Sequence, residues 1–413
     1  MSKPPSTTYN DSISPGLAGA LPSGLTYNIG GDVYDKTFGS IDRTYQPDVG
    51  ITLAQPLLRN FWIDSIRQQI WVSRKNLKIS ELILRLRIMD VVNRTEQAYY
   101  DLIFSQENVR VQQAGVELAN RLLSENKRRV EVGALAPLDE QQAASQAAQS
   151  RADLLGAIRL LQTQENILKG LITDNYREWN QQTIQPLDKL VAVPEKFDLQ
   201  ESWQKGMTQR PDLLEIRVEV ERSDINLRYT RNQLFPQLDL IGTYGRSGFA
   251  VENTLTNNTA RTYSDALDSI RQENYPRYSY GAVFSIPLSN RGPRNRYKIS
   301  KAEKEQSQLM LKQIEETVLI QIDDSVKQAQ TSYDRIDATK QARLYAESAL
   351  SAEQKKLENG KSTSFVVLQL QRDLTTARSE EIRALADYNK ALAQLSFNEG
   401  TVFERNHLSM EIR

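Results

Sequence analysis

VEVGALAPLDE (130–140) and LENGKSTSFVV (357–367) each interrupt a very long helical pattern with a glycine, and reading them decides the fold. Upstream of the first, residues 59–132 contain no proline and one glycine, Gly115. Upstream of the second, residues 294–359 contain neither. At about 1.5 Å per residue, each run predicts a helix roughly 100 Å long. Apolar residues recur at coiled-coil spacing, as Ile79, Leu82, Leu86 and Met89 in one and Leu311, Ile314, Val318 and Ile322 in the other. Gly133 and Gly360 suit the left-handed conformation that ends a helix. Shorter return helices are expected after them, from Leu138 to about Ile172 and from Phe365 to about Phe397, both rich in Ala, Gln, Leu and Ser. Aligned on the two glycines, the copies also match at Arg151 and Arg378, Ala157 and Ala384, and Leu168 and Leu395. The chain reads as two copies of one unit.

Each copy begins with strands. LTYNIGGDVYD (25–35) sets Leu25, Tyr27, Ile29 and Val33 against Thr26, Asn28, Gly30 and Asp32. YQPDVGITLAQPL (45–57) sets Tyr45, Val49, Ile51 and Leu53 against Gln46, Asp48, Gly50 and Thr52. In the second copy, QLDLIGTYG (237–245) puts Leu238, Leu240 and Tyr244 on one face. RYSYGAVFSIPL (277–288) likewise sets Tyr278, Tyr280, Ala282, Phe284 and Ile286 against Ser279, Gly281 and Ser285. Such period-two alternation suits either a half-buried sheet or a transmembrane barrel strand with lipid on one side and a polar lumen on the other. The polar connections, KTFGSIDRT (36–44) and residues 249–276, favour the barrel, as outward-facing loops. Four strands cannot close a barrel, so several chains are needed.

Composition agrees and excludes alternatives. Among 413 residues, 52 basic side chains balance 52 acidic ones, so no phosphate-neutralising field points to nucleic acid. Hydrophobic residues make up 39%, low for a compact globular chain of this length. There is no cysteine, which removes disulfides and thiolate metal sites. No signal peptide precedes MSKPPSTTYN and no apolar run is long enough for a transmembrane helix. The chain is expected to be soluble, or to cross a membrane only as strands. His407 is the single histidine, with no second imidazole or thiol to complete a site. Asp323-Asp324 and Glu315-Glu316 read as solvated or lumen-facing helix positions and not as an acid/base pair. No enzyme, metal site or cofactor is expected.

The order strand, strand, long helix, glycine turn, return helix, given twice, resembles the TolC-like outer membrane efflux proteins. So do ITLAQPLLRN (51–60), VGALAPLDEQQAASQAAQSRADLL (132–155), RPDLLEIRVEVERSDINLRYTRNQLFPQLDLIGTYG (210–245), FSIPLSNRGPRNRY (284–297) and AEQKKLENGKSTSFVVLQLQRDLTTARSEEIRALADYNKAL (352–392). The resemblance runs from about Leu21 to Val402. It implies a mainly α, mixed fold: a trimeric 12-stranded transmembrane β-barrel, four strands per chain, continued by a long α-helical periplasmic tunnel. It further implies an outer membrane channel of a tripartite efflux or type I secretion system. The implied partners are two further copies, outer membrane lipid, a periplasmic adaptor and, through it, an inner-membrane pump. Gly133, Ala134, Leu135 and Pro137, with Gly360, Lys361, Ser362 and Thr363, would be the adaptor-docking tips. Asp139, Gln142, Lys361, Gln369, Arg372 and Asp373 would line or lock the tunnel mouth. The alternative is a soluble coiled-coil spacer with a small β-domain.

Domain boundaries follow: an unstructured or truncated segment over 1–20, a first barrel hairpin over 21–58 and a first helical hairpin over 59–172. An equatorial segment over 173–209 and a leading helix over 210–235 come next. A second barrel hairpin (236–288), a second helical hairpin (289–398) and a tail (399–413) complete the chain. Three departures from the family qualify this reading. The first copy lacks the leading helix that Leu213 to about Leu234 provides in the second. Tyr100 to Gly133 is longer than the matching Tyr333 to Gly360, so the hairpins are expected to differ in reach or winding. At the mouth, Asp139 fits the family's acidic lock position, but Leu357 and Ser362 stand where a tyrosine and an arginine would hold it. Val366 and Gln369 replace a carboxylate ring.

Overall fold

The structure, a computed structural model, describes residues 8–38, 42–253, 263–272 and 276–409. In chain order the elements are β1 (Thr8–Ile13), β2 (Gly16–Ala20), β3 (Thr26–Phe38), β4 (Asp42–Pro56), α1 (Ser65–Glu131), α2 (Pro137–Ile172), α3 (Tyr176–Trp179) and α4 (Leu199–Gln209). They continue as α5 (Pro211–Asn232), β5 (Gln237–Ser247), β6 (Ala250–Asn253), α6 (Tyr263–Gln272), β7 (Pro276–Ser285), α7 (Arg291–Glu358), α8 (Ser364–Glu399) and α9 (Val402–Arg405). The chain divides into two compact units, one of residues 1–78 and 218–309 and the other of 79–217 and 310–413. α1, α5 and α7 each have residues in both.

The first unit is built on one antiparallel sheet ordered β1-β3-β4-β5-β7, with β2 also on β3 and β6 on β4. Its register brings the apolar alternations together. Ile29 faces Ile51, Ile51 faces Tyr244, and Tyr244 faces Tyr278. One step along, Tyr27, Leu53, Gly242 and Tyr280 form a second row, and Leu238 pairs with Phe284. These side chains therefore share one face. The other face carries Asn28, Thr52, Thr243 and Ser279 in one row, with Thr243 and Ser279 hydroxyls 2.5 Å apart. Near the loop end of that face, Asp48 accepts from Ser247 at 2.8 Å and from Arg277 at 3.2 Å. Ile241 and Val283 are apolar residues placed on this polar side by the same register.

Three expectations need correction here. Residues 1–20 are not unstructured throughout: β1 and β2 pair with β3, and the alternation of Ile13 and Leu17 matches the face of their partners Val33 and Ile29. In the long connection over 249–276, of which 254–262 and 273–275 lie outside the described residues, the described part is not a plain polar loop, because β6 pairs with β4 and α6 packs beside it. Tyr45, Ala250 and Ala266 form a small core there, closed by Tyr263 edge-on to Tyr45 at 6.0 Å. Finally, of the two differences expected between the hairpins, reach or winding, helix length does not carry one. α1 and α7 have 67 and 68 residues, and α2 and α8 have 36 each. The unequal tyrosine spacing shifts a side chain along a helix and leaves the helix lengths alike.

Helix ends explain the remaining differences. The first helix was expected from Arg59 but begins at Ser65. Asn60 sits at φ 67 and Asp64 caps the helix, accepting from Arg67 N at 2.8 Å. α7 begins earlier than Arg294, because Gly292 and Pro293 fit a first turn whose N–H groups need no helical partner.

In the second unit, α1, α2, α7 and α8 pack together with the segment between α2 and α5. α4 lies on α7 and α8: Trp203 Nε1 donates to Leu319 O at 3.2 Å, and Val318, Ile322, Val326 and Leu395 form the core beneath it. Tyr388 is fully buried and donates to Val193 O at 2.6 Å. Arg210 is 8% exposed, grips Asp212 with two bonds of 3.0 and 2.6 Å, and reaches Gln321 at 2.7 Å. That fork fixes the start of α5.

Candidate functional site

Both long helices end in the same hydrogen-bonded turn. Gly133 (φ 76) donates to Val130 O at 2.9 Å, and Ala134 donates to Arg129 O at 2.7 Å. Gly360 (φ 69) donates to Leu357 O at 3.1 Å, and Lys361 donates to Lys356 O at 2.8 Å. These are paired Schellman turns, which satisfy the last carbonyls of each helix. Basic residues sit where the helix dipole favours them, Arg128 and Arg129 in one last turn and Lys355 and Lys356 in the other. Pro137 then opens α2, and Thr363 precedes α8. A Cβ at either glycine would meet nothing within 4 Å.

Two buried side chains join the tips. Asn126, on α1, is completely buried. Its amide donates to Asp139 O at 3.3 Å, at the start of α2, and its carbonyl accepts from Ser364 Oγ at 3.2 Å, at the start of α8. Leu122, Leu350, Leu357, Val367, Leu368 and Leu374 pack into an apolar layer behind them. Lys169 and Glu165 form a buried ion pair at the far end of α2.

Beyond that apolar layer, the seam between α1 and α8 carries a series of polar contacts. Ser379 bonds Asn108 at 2.8 Å, Lys390 bonds Asp101 at 2.8 Å, and Gln394 accepts from Asn93 and Gln97 at 3.1 and 2.9 Å. Gln371 lies in the same seam with its side-chain Oε1 buried and unpartnered. It borders two cavities of about 150 and 180 Å³, a polar setting with room for water.

The expected tip residues Gly133, Ala134, Pro137, Gly360, Lys361 and Thr363 are exposed, with Leu135 and Ser362 partly covered. Of the expected mouth residues, Asp139 and Gln142 are half-buried, while Lys361, Gln369, Arg372 and Asp373 are exposed. Among the described residues no ion pair joins Asp139 to Lys361. Ser362 instead donates to Glu353 at 2.5 Å, beside Lys356 at 2.9 Å, and these bonds hold the Glu353 carboxyl below its ordinary range. Asn126, Ser364 and Gln371 were missed. A single Asn four residues after Leu122, on an otherwise apolar stripe, was the available signal.

Residues 23–173 and 204–400 match the family described as Outer membrane efflux protein. The chain belongs to that family. As an outer membrane efflux protein it is 25% identical to Outer membrane protein TolC of Escherichia coli (strain K12) over 347 residues, 78% of this chain and 66% of that protein, slightly less than two thirds of its length. Its fold is similar to the outer-membrane channel OprN, with TM-score 0.71 and 15% identity over 96% of this chain and 81% of the other. The Campylobacter jejuni CmeC outer membrane channel is similar at TM-score 0.69 and 15% identity over 98% and 82%. The Vibrio cholerae outer membrane protein VceC gives 0.70 and 16% over 95% and 87%. These relatives are outer membrane proteins, several named as channels, and the efflux protein described here is assigned to the outer membrane with them. Among the described residues no helix is long and apolar enough to cross a membrane.

Proposed function

We propose that three copies of this efflux protein each contribute β3, β4, β5 and β7 to one 12-stranded barrel, continued through the periplasm by a tunnel of α1, α2, α7 and α8. The observation that carries the reading is the apolar face, continuous and in register across all four strands. Tyr280 and Phe284 on it are 89% and 60% exposed in the single chain, a surface that suits lipid far better than water. The channel conducts passively what a partner pump selects. In this reading the tips Gly133–Pro137 and Gly360–Thr363 dock on a periplasmic adaptor of an inner-membrane pump. Asp139, Gln142, Gln369, Arg372 and Asp373 border the mouth. The exposure of the tip glycines and the like turns of both tips support docking by two similar surfaces.

Fractionation tests this. The expected outcome is a detergent-resistant trimer in outer membranes whose loss abolishes export. A soluble species of single chains would sink the reading in favour of a spacer.

A further inference from the structure

β1 and β2 cover one edge of the sheet. β1 pairs with β3 from Thr8↔Phe38 to Ile13↔Val33, and β2 pairs from Gly16↔Gly30 to Ala20↔Thr26. Ile13 and Leu17, 72% and 63% exposed, extend the apolar face past Val33 and Ile29. Ser12, Ala18 and Ala20 fall on the other face. On the apolar side Asp11 stands opposite Asp35 and Gly19 opposite Tyr27, so the stretch continues that face only through Ile13 and Leu17. At the opposite edge, β7 has β5 as its only partner among the described residues.

Direction decides what these edges can do. All pairings along the sheet are antiparallel, so β1–β2, β4 and β7 run one way while β3 and β5 run the other. With β1–β2 in place, both edges of a copy run in the same direction, and the β1–β2 edge of one copy could join the β7 edge of the next around a ring only in parallel. Without it the edges are β3 and β7, which run oppositely and can join copy to copy as an antiparallel barrel does. β1–β2 is also the poorer partner for β3. Its pairing breaks between Ile13 and Gly16, where Pro15 has no N–H to donate and accepts from Gly31 N at 3.0 Å. β7 is unbroken from Pro276 to Ser285 and brings Tyr278, Tyr280 and Phe284.

We infer that β1–β2 is a self-guarding strand: it occupies the β3 edge of the single chain and is displaced by β7 of a second copy when the assembly closes. The inference rests on the trimeric reading above. The cover keeps the long β3 edge from indiscriminate strand addition, and the broken pairing makes it removable.

The chain has no cysteine, so engineered pairs report without interference. In the full chain, Leu17→Cys with Ile29→Cys ties the guard to β3. Asn28→Cys with Thr52→Cys ties β3 to β4, neighbours that stay together in either state. Each variant is studied oxidised and reduced in detergent, with molecular mass as the readout. Expected is loss of trimer from the oxidised guard pair, recovery on reduction, and trimer from the β3–β4 pair in both states. Trimer from the oxidised guard pair at the reduced level would overturn displacement, as would loss of trimer from both oxidised pairs alike. Single chains from every reduced variant would overturn the trimeric reading and the guard with it.

Discussion

At the scale of the residue, the tip glycines and Asn126 have opposite jobs. Gly133 and Gly360 hold positive φ, so a side chain there meets backbone strain of about 1 kcal/mol, while its Cβ would have no atom within 4 Å. Combining Gly133→Trp with Gly360→Trp should leave trimer in the outer membrane near normal abundance and abolish export and adaptor cross-linking. Loss of the trimer would show that the glycines serve folding alone, and retained export would remove the tips as a docking surface. Asn126 works from inside. Asn126→Leu should leave the Ser364 hydroxyl and the Asp139 carbonyl without their partner, at a cost of about 1–3 kcal/mol. Amide exchange should speed up across the starts of α2 and α8 and stay unchanged in the sheet. Unaltered protection at Ser364 to Leu368 would show that Asn126 ties nothing. The glycines were legible in the sequence because a helical pattern stopped at each. Asn126 was not, because its two partners come from distant stretches of chain.

At the scale of the element, the strands carry a two-sided code. Leu240 and Phe284 stand on the apolar face, and Ser285 on the polar one. Leu240→Arg or Phe284→Arg should cost roughly 2–4 kcal/mol near the bilayer midplane, and Ser285→Arg far less. Urea unfolding in lipid vesicles measures both, and equal tolerance on the two faces would end the barrel assignment. The hairpins follow another rule. Near the tips, Leu350, Leu357, Leu368 and Leu374 of α7 and α8 pack as apolar neighbours with Leu122 of α1, whereas farther along α8 also meets α1 through Asn, Gln, Ser and charged side chains. Alternation and coiled-coil spacing could be read from the chain alone, since both are local periods. The polar character of the α1–α8 seam could not, since it depends on which helices become neighbours.

At the scale of the whole molecule, the trimeric reading makes a single chain an incomplete unit. Its sheet leaves an apolar face uncovered and β7 with one partner among the described residues. If three copies supply what is missing, folding and association are one equilibrium, and stability must depend on how much chain is present. The unfolding midpoint in detergent should therefore rise with protein concentration. A midpoint independent of concentration would mean that the single chain is stable by itself.

Local periodicity determined a great deal here. The two long helices, their return partners, the glycine turns and the four strands with their apolar faces all follow from repeats of two or of three to four residues. The family resemblance rested on the order of those pieces. Tertiary structure decided what local patterns do not encode. It cut the first helix back to Ser65 through the cap at Asp64, and equalised the hairpins despite their unequal tyrosine spacing. It folded α6 onto β4 through Tyr45 and Ala266, and placed residues 8–20 on the β3 edge. The physical reason is the same in each case. A strand edge, a buried amide or a short amphipathic helix is satisfied by whatever distant segment arrives beside it, and sequence order does not say which segment that is.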